Sequence, residues 1–147
     1  MQARTIPLLT ACAAGLIACA GRGPAPALPS GTSARPLAQI YFWRARPGKL
    51  EEYSRYIRVV AEPIDRAAQR QGAFVSVTTY VSRDTGTAWT HMRVFILRDS
   101  SQLAALPAAL ERAGIGLEPD SAERRARAAY AATIRDRVGA VTVEVLP

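Results

Sequence analysis

Cysteine is nearly absent from this chain. Of its 147 residues only Cys12 and Cys19 are cysteine, and both lie in the first nineteen positions. Whatever follows Cys19 folds without a disulfide of its own, and a zinc site built on thiolates is excluded. Histidine is rarer still: His91 stands alone, which rules out a metal centre with several imidazole ligands. Lysine is reduced to Lys49, so the net charge of +7 rests almost entirely on arginine. There is no glycine-rich phosphate loop, no Gly-x-Ser-x-Gly elbow and no His/Asp/Glu cluster at metal-ligand spacing. No cofactor is called for by any motif. No apolar run reaches the roughly 20 residues that a membrane-crossing helix needs.

What is present begins at Met1. A short n-region with one charge, Arg4, leads into an apolar stretch from Ile6 to Ile17, and Leu16-Ile17-Ala18-Cys19 closes it. The stretch is too short to span a bilayer but suits a secretory signal. Its end resembles the lipobox of bacterial lipoproteins, with an aliphatic residue at −3, a small one at −1, then cysteine. That resemblance implies cleavage after residue 18 and acylation of Cys19, several acyl chains (palmitate among them) holding where one would not. Ordinary signal-peptidase cleavage after Ala20 and an uncleaved anchor remain open. Ala20 is not the aspartate that resembles an inner-membrane retention signal. The expectation is therefore an exported protein, lipid-anchored in the cell envelope, at the outer membrane if the cell is Gram-negative. Nucleic acid is not an expected partner despite a pI near 10.2, because the arginines are spread along the chain and an exported protein rarely meets nucleic acid.

Residues 19–37 hold the candidate lipid site and then Pro24, Pro26, Pro29 and Pro36 among Gly, Ser and Ala. Such a stretch buries nothing and reads as a tether. One domain follows, over 38–147. Gln39–Ala45 is aromatic and reads as a strand. Apolar residues at Leu50, Tyr53, Ile57, Val60 and Ile64 give a helical stripe that Pro63 should kink or split, closed by Gly72. Ala73–Val81 and Ala88–Leu97 read as a hairpin. Asp99 and Asp120 each open a capping-box-like start to a helix, the first ending at Gly114 or Gly116, the second near Arg137. Ala140–Leu146 is a last strand. The order β-α-β-β-α-α-β gives an α+β fold, the ferredoxin-like split-βαβ sandwich, with a four-stranded antiparallel sheet in order 4-1-3-2 and helices on one face.

Alternation along the strands separates two faces. Met92, Val94 and Ile96, with Val77, Val81, Val141 and Val143, make an aliphatic face expected under the helices. His91, Arg93 and Phe95, with Tyr41, Trp43, Phe74, Tyr80 and Trp89, make a mixed aromatic and polar face. Left bare, that second face would be a large apolar patch, most simply covered by a second copy of the chain about a two-fold axis.

The element order, together with Arg46-Pro47-Gly48-Lys49-Leu50-Glu51-Glu52-Tyr53 after the first strand, resembles the dimeric α/β-barrel superfamily of antibiotic-biosynthesis-monooxygenase-like, EthD-like and NIPSNAP-like domains. The resemblance covers roughly residues 38–146. It implies a homodimer with a cavity between two sheets, but no single activity, since that scaffold serves many.

On these grounds His91 and Arg93 are the candidate catalytic residues, and Tyr41, Trp43, Tyr80, Trp89 and Glu144 the candidate ligand-binding ones. His91 is a proton shuttle in one reading, a haem ligand resembling those of some relatives in another, and a hydrogen-bonded structural histidine in the plainest. Arg93 either holds an oxyanion or pairs with Glu144. The basic residues Arg124, Arg125, Arg127, Arg135 and Arg137 read as a solvated helix face. The leading expectation is a small-ligand-binding or structural lipoprotein, with a cofactor-independent oxygenase or isomerase acting on a small hydrophobic substrate as the first alternative and a haem protein as the second. Side chains of His91 and Arg93 directed at the helices would remove both enzymatic alternatives.

Overall fold

The computed structural model describes residues 35–84 and 86–146. The expectations about the signal segment, Cys19 and most of the tether fall outside them. Among the described residues no helix is long and apolar enough to cross a membrane.

Strand β1 (Leu37–Ala45) is followed by a turn in which Lys49 N–H donates to the Arg46 carbonyl at 2.8 Å. Pro47 suits the first corner of that turn and Gly48, at φ +74°, the second. Helix α1 (Leu50–Tyr56) runs into a π-helical turn, Ile57–Ala61, and then into α2 (Glu62–Arg70). Pro63 explains the break. It has no N–H for the Val59 carbonyl and its ring crowds that group, so the preceding turn widens and Glu62 N–H reaches back to the Ile57 carbonyl instead. Gly72, at φ +78°, closes α2: its N–H donates to Gln69 and that of Ala73 to Ala68, the paired bonds of a Schellman end.

Strands β2 (Ser76–Val81) and β3 (His91–Leu97) are shorter than the sequence pattern indicates, because Ala73 is spent on the helix end and residues 82–90 form a longer link. Helix α3 (Ser100–Leu117) starts where Asp99 accepts from Gln102 N–H at 2.9 Å. It does not stop at Gly114 or Gly116. It stops before Pro119, which forces Glu118 into an extended conformation. Helix α4 (Ser121–Ile134), capped by Asp120 on Ala122 N–H, ends three residues earlier than expected. Strand β4 (Arg135–Glu144) begins at once, so Gly139 lies within a strand and is not a helix end.

The sheet order is β2-β3-β1-β4, every neighbouring pair antiparallel, as the element order requires. Between β1 and β4 the register slips by one residue at Phe42/Trp43, where Val138 is the extra residue of a β-bulge. Two apolar clusters hold the layers together. One joins Ala68, Phe74, Phe95, Leu97 and Leu106, and the other Ala45, Tyr53, Ile57 and Ile134. Burying each large side chain contributes about 1.5–3 kcal/mol.

Candidate functional site

Cross-strand partners decide which side chains share a face. Trp43 lies opposite His91 and Arg137, Tyr41 opposite Arg93, and Gln39 opposite Phe95. On β3 the odd-numbered positions His91, Arg93, Phe95 and Leu97 are buried, while Met92, Val94 and Ile96 are half-exposed. The mixed face therefore lies under the helices. The uncovered face carries Ile40, Phe42, Met92, Val94, Ile96, Val141 and Val143, the reverse of the expectation from alternation. The inversion follows from what the helices bring: α1 and α2 present Ser54 and Asp65, polar partners for His91 and Arg93. β2 also divides differently. Val77 and Val81 pair with Phe95 and His91, while Tyr80 pairs with Met92 on the open face, away from Tyr41 and Trp43. Trp89 precedes β3 and packs on Phe42 at 6.0 Å between ring centroids, again on the open side.

His91 has no exposed surface. Its Nε2 is 3.0 Å from Ser54 Oγ and its Nδ1 2.9 Å from Thr90 Oγ1. Ser54 already donates its hydroxyl proton to the Leu50 carbonyl, so it accepts from Nε2–H, and Nδ1 accepts from Thr90. The edge of the Tyr53 ring is 4.3 Å away, centroid to centroid. Burial, with a smaller push from Arg135, lowers the imidazole to a pKa of about 4. Such a group is neutral, fully bonded and shut off from any cleft. It neither shuttles a proton to a substrate nor offers a nitrogen to haem iron, so both readings of His91 as a reactive residue lose their support.

Arg93 pairs with Asp65 on α2 and not with Glu144, whose partner is the exposed Arg35. Asp65 is 3% exposed and Arg93 9%. Burial pushes the Asp65 carboxyl up, and the Arg93 guanidinium beside it pulls part of the way back. Arg93 Nε is left without a hydrogen-bond partner, although it is buried.

A cleft opens beside this pair, between the sheet and the helices. It has two lobes of about 440 Å³ each, which share Trp43, Tyr56, Val60, Ile64, Arg135 and Arg137 on their walls. The inner lobe reaches Tyr41, Asp65, Arg93 and Phe95; the outer one runs under α4 past Arg124, Arg127 and Ala131. The π-helical turn supplies Val60 and Ala61 to the wall, and turns of this kind recur at binding sites. Arg135 lies on the Trp43 ring, 3.9 Å from guanidinium carbon to centroid, and donates to Tyr53 Oη at 2.9 Å. Arg137 lies over Tyr41 at 5.0 Å.

Of the sequence-expected ligand residues, Tyr41 and Trp43 line this cleft, whereas Tyr80, Trp89 and Glu144 do not. Reading residues 135–137 as helix hid Arg135 and Arg137. No alternation of apolar and polar residues marks the start of this strand, because residues 135–137 are all charged. Among the described residues no group of three His, Cys, Asp or Glu side chains is placed to hold a metal ion.

No protein-family model matches the chain, and no curated protein sequence matches it. Solved structures do. HapK from Hahella chejuensis superposes with a TM-score of 0.50 at 15% identity, over 75% of this chain and 92% of that one. A dimeric ferredoxin-like protein from an uncultured marine organism gives 0.54 at 11% identity, over 76% and 97%. Both establish the ferredoxin-like fold read from the sequence. SnoaB, a cofactor-independent oxygenase from Streptomyces nogalater, superposes more loosely, at 0.46 and 13% identity, over 78% and 96%.

Proposed function

We propose that this chain is a lipid-anchored homodimer that binds a small hydrophobic ligand, one in the cleft of each protomer. The observation that carries the ligand reading is the cleft itself: an opening of this size, walled by Tyr41, Trp43, Tyr56 and aliphatic side chains with a few charged groups among them, suits a small molecule. Dimerisation draws its support from the uncovered sheet face, where Ile40, Phe42, Val94 and Val141 form an apolar surface on which, among the described residues, no helix lies. The marine ferredoxin-like protein with the same fold is described as dimeric. The anchor rests on Leu16-Ile17-Ala18-Cys19 and places the domain in the cell envelope, behind the proline-rich tether. No catalytic step is assigned, because the one carboxylate on the inner lobe, Asp65, is committed to Arg93.

Native mass spectrometry of the protein extracted from membranes tests all three parts together. The expected spectrum shows twice the protomer mass, an acyl increment on Cys19 and a retained small molecule. A monomer with no adduct and a free Cys19 thiol would overturn the reading.

A further inference from the structure

Resting on that reading of the cleft, we infer that its ligand is an anion, specifically a planar aromatic or conjugated carboxylate. The charges on the walls point this way. Four cationic side chains nearby are already engaged: Arg93 with Asp65, Arg46 with Asp136, Arg127 with Glu118, and Arg124 with the carbonyls of Glu118 and Pro119. Arg135 and Arg137 are different. Among the described residues no carboxylate pairs with either, and both line the two lobes where they meet.

They are also held in place before any ligand arrives. Arg135 lies over Trp43 and donates to Tyr53 Oη, and Arg137 lies over Tyr41. A guanidinium held over a ring keeps further N–H groups to donate, and a carboxylate can accept two of them as a pair of parallel bonds. Deeper in the inner lobe, Arg93 Nε–H is buried and has no acceptor. Tyr41, Tyr56 and Phe95 supply aromatic walls between these donors. A cationic ligand would meet two unpaired guanidiniums, and a purely apolar one would leave them desolvated.

The test uses three probes of the purified mature protein in detergent, by titration calorimetry: 2-naphthoate, the neutral 2-naphthalenemethanol and inorganic phosphate. Naphthoate is expected to bind at least tenfold more tightly than either of the others. Arg137→Gln, at a solvent-exposed position whose loss leaves the fold intact by circular dichroism, is expected to weaken naphthoate about tenfold and leave the alcohol unchanged, with Arg137→Lys in between. Equal binding of the alcohol overturns the anion inference while sparing the ligand cleft. Equal binding of phosphate overturns the aromatic half. An unchanged naphthoate affinity in Arg137→Gln overturns the assignment to this cleft. If no probe binds, this inference and the ligand-cleft reading fall together.

Discussion

Lowering the pH from 8 to 5 is expected to destabilise the domain through His91. Folded, the imidazole resists protonation until a pH of about 4, because burial leaves its charged form unsolvated. Unfolded, it takes up a proton near its ordinary value of 6.5. Between those values the unfolded chain binds more protons than the folded one, so stability present above pH 6.5 is lost as the pH falls through 4. The full loss is about 3 kcal/mol, and about 2 kcal/mol of it is spent by pH 5. In urea that lowers the unfolding midpoint by roughly 1 M. Urea titrations at pH 5, 6, 7 and 8 on the wild type and on His91→Gln measure it. Because His91 is the only histidine, the difference between the two slopes isolates its contribution. Asp65, whose carboxyl burial pushes up, acts with the opposite sign but is common to both proteins and cancels. Identical slopes would refute the account of His91 as a neutral, desolvated core residue.

Other perturbations have equally definite outcomes. Asp65→Asn strands a buried guanidinium and is expected to cost about 3–5 kcal/mol, seen as a fall in Tm of more than roughly 10 °C; the double variant Asp65→Leu/Arg93→Met regains most of it. Val94→Lys puts a charge at the centre of the uncovered sheet face and is expected to halve the sedimentation mass while circular dichroism stays native. Hemin is expected to give no Soret shift that His91→Ala abolishes, since both ring nitrogens are already bonded.

The element order and sheet order were legible because they depend on periodicity, caps and a topological rule that single residues do not disturb. Asp99, Asp120, Gly72 and Pro63 each did locally what their chemistry dictates. Which sheet face the helices cover was not legible. Hydropathy ranks Met92, Val94 and Ile96 as core and His91 and Arg93 as surface. The ranking fails here because Ser54 and Asp65, which pair with His91 and Arg93 inside, lie twenty-eight or more residues away in sequence. The cleft was missed for a related reason. Its arginines belong to a strand that starts directly after a helix, with no turn residue to announce the change.

The slip between β1 and β4 carries a consequence for how this cleft is inherited. With Ala140 opposite Tyr41 and Gly139 opposite Phe42, an unbroken ladder would set Val138 against Trp43 and Asp136 against Ala45. The extra residue Val138 shifts everything before it by one place, so Arg137 and Arg135 stand opposite Trp43 and Ala45, and Asp136 stands opposite Arg44. The bulge, and not the residue that forms it, therefore sets which charges face Trp43 and Ala45. Deleting Val138 is expected to straighten the strand and leave Arg137 against Trp43 and Arg135 against Ala45, so naphthoate binding survives the loss of a residue from the middle of β4.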